Sequence, residues 1–317
     1  MYKIVFMGTP DFAVASLRAL VESKKYEIVA VVSQPDRPKG RGKKVVPTPV
    51  KAYAASVGLT VLQPVKVKTP EVTAQLAAYQ PDFIVVAAFG QILSQAILDI
   101  PKFACVNVHA SLLPKYRGAA PLNYALMNGE KESGVTLMHM EAGMDTGGSY
   151  AQVVVPITPE MTKGELETLC QEAGAQLLLE KLDAIADGSL TFTPQDESKA
   201  TKATLLTRDM EHLDWTRSAR QLHDLIRAFN PEPGTFTTLP DGRMLKLWDT
   251  RVVPGLDGVP GTVLSVSKKT FTVACGRDSL EVLEVQPESK KRMPSQVFLN
   301  GRGVKAWDQL GTASLSK

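Results

Sequence analysis

Asn107 and His109 stand two positions apart in the apolar run ACVNVHA, ahead of the stiff stretch Ser111-Leu112-Leu113-Pro114 and the cation Arg117. Alternate residues of a strand point to the same side, so an amide and an imidazole would be presented together at a strand's end. An amide donates as a neutral group, whereas an imidazole donates from either nitrogen and can carry a proton. Side by side, the two suit an oxyanion that must be held and a leaving group that must be protonated. A neighbouring carboxylate would favour the imidazolium and fix its ring. Asp145 is the candidate: it lies in EAGMDTGGSY, where Gly143, Gly147 and Gly148 let the backbone bend tightly around it. His139 and His212 carry no functional argument, and His223 is expected on the surface or at a domain contact. Arg117 either binds an anion or makes a structural ion pair beside Gly118.

The chain around these residues has 317 residues, 44% hydrophobic and 22% charged, which is long enough for two domains and too apolar for disorder. Cys105, Cys170 and Cys275 have neither metal nor redox spacing and cannot all pair, which fits a reducing compartment. The residues offer no ligand cluster for a metal. MYKIVFMGTPDF lacks a long apolar segment with a cleavage site, and no run reaches the roughly 18 apolar residues of a membrane span. A cytoplasmic monomer without membrane attachment is therefore expected. There are 19 Lys and Arg against 20 Asp and Glu up to Ala200, and 17 against 13 beyond it, so the carboxyl-terminal part is mildly basic. Such an excess is a weak pointer to a polyanion.

KIVFMG reads as a buried strand, followed by a turn at Gly8-Thr9-Pro10 and a helix whose apolar positions run from Phe12 to Val21. EIVAVVS and DFIVVAA are further strands, with helices over Pro49 to Val57 and from Thr69-Pro70, an N-cap and N1 pair, to about Tyr79. ACVNVHA and GVTLMHME supply two more strands, with the helix AAPLNYALMNG between them, and a helix over Thr162 to Ala186 closes this half. Strands alternating with helices imply a Rossmann-like α/β fold, a parallel-rich sheet covered on both faces. Ligands bind beyond the carboxyl ends of such strands, where Asn107 and His109 would sit. Residues 190 to 208 lose periodicity and read as a linker between a domain at 1–189 and one at 209–317. The second domain starts with a helix over Trp215 to Phe229 and continues as short strands, with a hairpin at Pro240-Asp241-Gly242. A small β-barrel of the oligonucleotide-binding (OB-like) kind fits, and a small sandwich fits nearly as well.

Asn107-Val-His109, then SLLPKYRG, then the Asp145-Thr-Gly segment downstream of a helix resemble the folate-dependent formyltransferases in residue type, order and spacing. GTPDFA, QPDRPKGRGKK, QPDFIVVAAFGQIL, DWT and RAFNPEPGTF extend the resemblance along the whole chain, toward the branch of the family that acts on methionyl initiator tRNA. The resemblance implies 10-formyltetrahydrofolate as formyl donor, tetrahydrofolate as product, and Asn107, His109 and Asp145 as the catalytic set. It places Ser111, Leu112, Leu113 and Pro114 in the folate-binding wall. The turn Phe89, Gly90, Gln91 and Ile92, apolar or flexible, suits a flat pteridine held by backbone groups. Arg37, Lys39, Arg41, Lys43 and Lys44 place five cations in eight residues; a flexible basic loop of this kind follows a phosphate backbone. The family's use of this loop against the acceptor arm implies tRNA binding, with Arg41 foremost.

A sugar-nucleotide N-formyltransferase is the nearest rival, and RPKGRGKK and RAFNPEPGTF argue against it. A glycinamide ribonucleotide formyltransferase would not need the basic second domain. A formyltetrahydrofolate hydrolase usually brings a regulatory domain first. A nicotinamide-dependent dehydrogenase would need a G-x-G-x-x-G turn that MGTPDF lacks. A non-catalytic tRNA-binding protein would leave Asn107, His109 and Asp145 idle.

Overall fold

A computed structural model describes residues 1–39, 44–301 and 303–311. In chain order the first part contains β1 (Tyr2–Gly8), α1 (Asp11–Ser23), β2 (Tyr26–Val32), β3 (Arg37–Lys39), β4 (Lys44–Val46), α2 (Pro49–Ser56), β5 (Val61–Leu62), α3 (Pro70–Ala78), β6 (Phe83–Ala87), α4 (Gln95–Leu98) and β7 (Ala104–His109). The expected cap forms at Thr69, which accepts from the Val72 amide, and Thr48 caps α2 in the same way through the Lys51 amide, each ahead of a proline at N1. Next come β8 (Arg117–Gly118), α5 (Pro121–Met127), β9 (Glu132–His139), β10 (Ser149–Pro156), α6 (Lys163–Ala186) and β11 (Lys202–Ala203).

Seven of these strands form one sheet in the order β10-β9-β7-β6-β1-β2-β5, in which β7, β6, β1, β2 and β5 run parallel. β9 lies antiparallel to β7, with His109 opposite Thr136, although the alternation of elements predicts another parallel strand. The cause is the crossover. Its helix groups with a different part of the chain, so the polypeptide re-enters the sheet near the end where β7 stopped. β10, not expected from the sequence, pairs with β9 at the edge of the sheet; Val155 is its one buried residue, so it has little of the apolar covering that marks an inner strand.

Val5, Met7, Ala30, Val32, Ile84, Val86 and Cys105 take alternate positions of four strands and share one apolar cluster with Leu76, Phe89 and Ile97. Burying each such aliphatic side chain is worth roughly 1.5–3 kcal/mol. Asn107 and His109 continue the parity of Cys105, so they extend this face past the point where apolar packing ends. The order of the strands reverses at β1, which has β2 on one side and β6 on the other. The loops leaving β1 and β6 meet there, with the Thr9 hydroxyl donating to the Phe89 carbonyl at 3.0 Å. This is the switch-point crevice of an open α/β sheet.

The chain divides into two compact units that do not follow chain order. One comprises Met1–Pro121, Glu132–Pro156 and Glu167–Thr204; the other comprises Leu122–Lys131, Ile157–Leu166 and Leu205–Lys317. Residues read as a linker pack on the first unit as far as Thr204: Thr193 bridges Ser149, and β11 pairs with β8. In the second unit, α7 (Ala219–Ala228) precedes β12 (Thr235–Thr238), β13 (Met244–Val253), β14 (Val263–Val266), β15 (Phe271–Ala274), β16 (Ser279–Pro287), β17 (Met293–Pro294) and α8 (Ser295–Asn300). The antiparallel ladder runs β12-β13-β16-β15-β14, with β17 also on β16. The hairpin at Pro240 to Gly242 forms with Gly242 at φ +82°. α7 starts later than Trp215 because Asp214 first closes a turn onto Thr216, after which Ser218 and Gln221 make a reciprocal capping box. His223, expected on the surface or at a domain contact, is not on the surface: it is buried, with Nδ1 3.1 Å from the Thr250 hydroxyl and Nε2 3.2 Å from the Pro159 carbonyl. Among the described residues no helix is long and apolar enough to cross a membrane.

All three cysteines are buried and free, and burial pushes each thiol up to about 12 from its ordinary value of 9.0. A thiol raised in the fold stabilises fully below its unfolded pKa, and that contribution is lost as pH rises through the folded value. At pH 10 the unfolded thiols are mostly ionised, so each should cost about 1 kcal/mol relative to pH 8. Denaturant titrations at the two pH values should therefore show a fall in stability that a triple Cys→Ala variant recovers by roughly 3 kcal/mol; an equal fall in both proteins refutes it.

Candidate active site

Asn107 and His109 are 8% and 6% exposed at the carboxyl end of β7, and the strand's alternation turns both to one face. His109 Nε2 lies 3.2 Å from the Tyr116 carbonyl, which can only accept, so Nε2 carries a proton. Nδ1 then faces Asp145, whose Oδ2 is 3.7 Å away. That separation is within ion-pair range and longer than a direct hydrogen bond, as catalytic contacts often are without substrate. The same Oδ2 accepts from the Gly118 amide at 2.8 Å. Asp145 reaches this position from a left-handed backbone, φ +54°, in the turn between β9 and β10. Asp145, distant in sequence, is thus brought to the strand end that carries Asn107 and His109. The Asn107 amide points to Met138, with Nδ2 3.8 Å from its Sδ, a weak acceptor that leaves most of the donor capacity available.

The Ser111 to Pro114 turn is fixed from within. Ser111 Oγ donates to the Lys115 carbonyl at 2.6 Å, and Thr136 Oγ1 donates to the Ser111 carbonyl and accepts from the Leu113 amide. Gln152 donates to both the Leu113 carbonyl and Thr136 Oγ1. Ser111 and Leu113 are buried and Leu112 is half-buried, and the serine hydroxyl and most of the segment's main chain are already engaged, so what this segment can offer a ligand is the Leu112 side chain. In the Phe89 to Ile92 turn, the Phe89 ring lies in the core at 2% exposure and does not form a wall. Its carbonyl accepts from Thr9 and Gln34. Gln91 is used structurally, on the Val67 amide and the Pro64 carbonyl. Gly90 stands at φ +82°, with the Gln34 amide in van der Waals reach of where a Cβ would lie, and Ile92 is 76% exposed. Among the described residues, no hydrogen bond occupies the main chain of Gly90 or Ile92. Open backbone groups beside an exposed aliphatic chain fit a flat heteroaromatic ring with hydrogen-bonding edges.

Arg117 resolves toward an ion pair. It is buried, its guanidinium grips both Glu197 oxygens at 2.9 and 2.6 Å, and Nε and an Nη share Gln195 Oε1 at 3.1 and 2.9 Å. Glu197 raises the guanidinium's pKa above its usual value, Asp145 adds to the rise at longer range, and desolvation opposes it. Gln195 and Glu197 escape a reading of the sequence because nothing in a stretch without periodicity marks a contact across 78 or 80 positions. His139 has no role in this group: it stacks on Phe192 at 4.6 Å, bonds the Tyr150 hydroxyl, and is held low in pKa by burial against the opposing pull of Glu141.

Of the basic segment, Arg37 is exposed on β3, which pairs with β4. Asp36 anchors the base of this hairpin through Lys51 and Gln63. Lys39 and Lys44 lie in its strands, while Arg41 and Lys43 lie outside the described residues.

A family model described as formyl transferase matches residues 2–182, and one described as formyl transferase, C-terminal domain matches residues 205–303. The methionyl-tRNA formyltransferase of Geobacter sulfurreducens is 47% identical over 98% of this chain and 97% of its own length. That of Acetivibrio thermocellus is 46% identical over 98% of this chain and 99% of its own. Among solved structures, WlaRD, a sugar 3N-formyl transferase crystallised with dTDP and 5-N-formyl-THF, superposes with a TM-score of 0.65 at 20% identity over 92% of this chain and 99% of its own. HypX from Aquifex aeolicus in complex with tetrahydrofolic acid gives a TM-score of 0.65 at 18% identity, covering 96% of this chain and 48% of that one. The structural likenesses speak for the fold; the family models and the relatives near half identity over almost full length decide the family, and this chain belongs to the formyl transferases.

Proposed function

We propose that this enzyme transfers the formyl group of 10-formyltetrahydrofolate to the α-amino group of methionyl initiator tRNA. The observation that carries the reaction class is the grouping of Asn107, His109 and Asp145 at the end of β7. The acceptor rests on the full-length similarity to relatives named methionyl-tRNA formyltransferase, against the distant sugar formyltransferases.

The neutral α-amine attacks the formyl carbon, and the carbonyl electrons move onto oxygen. Asn107 donates to that oxyanion, an interaction worth roughly 3–4 kcal/mol, and a protonated His109, whose two N–H groups face the Tyr116 carbonyl and Asp145, stabilises it through its positive charge. Asp145 balances the imidazolium and takes the amine's proton directly or through water; the oxyanion then collapses to the carbonyl, and folate N10 departs with the bond pair and gains the proton that the amine gave up. The folate supplies the activated formyl carbon. The main chain of Gly90 and Ile92 and the Leu112 side chain hold its ring, with Ser111 to Pro114 setting the wall's shape. The first unit carries the chemistry, and the second unit and the basic residues Arg37, Lys39, Arg41, Lys43 and Lys44 each bind the RNA.

Incubation with 10-formyltetrahydrofolate and methionyl initiator tRNA should yield the N-formylmethionyl ester. Transfer to a nucleotide-linked amino sugar, with none to the tRNA, would overturn the assignment. Phosphate binding by the basic segment should appear as salt dependence. Changing Arg37, Lys39, Arg41, Lys43 and Lys44 to Ala should flatten the slope of log kcat/KM against log salt by about 0.7–0.9 for each phosphate that the segment neutralises. An unchanged slope removes the segment from the RNA interface.

A further inference from the structure

The turn that delivers Asp145 has little to hold it in place. Glu141, Ala142, Gly143 and Met144 are exposed, glycines flank it, and Asp145 itself stands at positive φ. A surface turn with few apolar anchors opens at low cost unless hydrogen bonds order it. Those bonds come from the stretch after α6. Gln195 Nε2 donates to the carbonyls of Asp145 and Gly147 at 2.8 and 2.7 Å, reaching across about fifty residues. Its Oε1 faces the Arg117 guanidinium, which Glu197 in turn holds. This surrounding fixes the sense of the amide: a flipped group would set its oxygen against two carbonyl oxygens and its NH₂ against a cation. The far end of the chain of bonds is therefore a carboxylate, Glu197, and the near end is the main chain of the residue that faces His109.

We propose that Gln195 is a positioning residue for formyl transfer, its amide oriented by Arg117 and Glu197 so that the 145–147 turn keeps the Asp145 carboxylate against His109 Nδ1 and the Gly118 amide. The proposal rests on the transfer reading given above. A carboxylate displaced by an ångström no longer balances the imidazolium at the moment charge develops, so the effect falls on the chemical step and not on substrate binding.

Gln195→Glu tests it. The new side chain keeps its size and an oxygen for Arg117 but confronts both carbonyls with an acceptor. The expected result is a fall in kcat of about tenfold or more, with KM for both substrates within about threefold. Amide exchange over residues 143–148 should speed up by about tenfold, with the melting transition still cooperative. In an Asp145→Asn background, measured by single turnover, Gln195→Glu should add less than about twofold, because the two act through one group. Equal losses in both backgrounds, a change confined to KM, or unaltered exchange at 143–148 would each overturn the proposal. A wild-type chain that does not formylate methionyl-tRNA overturns the function instead, and exchange at 143–148 still decides the clamp.

Discussion

His109→Ala is expected to reduce kcat for formyl transfer by about 10³-fold while leaving folate affinity, read by calorimetry, within a few-fold. The ring is nearly enclosed and tied at Nε2 to the Tyr116 carbonyl, so it is presented in one orientation with Nδ1 toward Asp145. In the proposed mechanism its removal takes away the positive charge that faces the oxyanion and that Asp145 balances. Asp145→Asn should lose about 10²- to 10³-fold. The amide still accepts from the Gly118 N–H through its oxygen, so the turn keeps that bond and only the charge is removed. Because the two residues act as one unit, the double variant should be little worse than His109→Ala alone. A His109→Ala enzyme with kcat within threefold of wild type would remove the imidazole from the mechanism.

The parts of this site that are legible in the sequence are those encoded locally. Strand alternation places Asn107 and His109 on one face, and Asp145 stands out because glycines surround it. The same local logic gives the Thr69 cap, the turn after Gly8 and the hairpin at Gly242. What is not legible is encoded by partners far away. Arg117 has an ambiguous role in sequence because its guanidinium is settled by Gln195 and Glu197, in a stretch whose Thr, Ser and charge suit a linker equally well. Phe89 stands in a turn whose sequence suits a flat pteridine held by backbone groups, yet its ring joins the core, and it is the main chain of Gly90 and Ile92 that carries no hydrogen bond among the described residues. The direction of β9 depends on where its connecting helix packs, which no periodicity records. α7 begins late because two short polar turns, at Asp214 and Ser218, intervene before the first helical residue.

Gly118→Ala should damage both the stability of the first unit and its site. Gly118 sits at φ +122°, where an L side chain is strained, and a Cβ there would lie 2.5 Å from the Ala203 carbonyl oxygen. That oxygen belongs to backbone in β11, paired with β8, and cannot swing aside as a side chain would. The backbone strain alone is worth about 1–3 kcal/mol, and moving the 201–203 strand adds the loss of its ladder bonds. Either relaxation also shifts the Gly118 amide, which holds Asp145 Oδ2 at 2.8 Å. A stability loss of about 3 kcal/mol is expected by denaturant titration, together with a kcat reduced by about 10²-fold under conditions where the variant remains folded. Ala203→Gly in the same chain removes a methyl group but leaves the obstructing carbonyl, so it should not restore either quantity. Recovery by that second change would mean that the Ala203 side chain, and not the main-chain oxygen, sets the limit at this crossing.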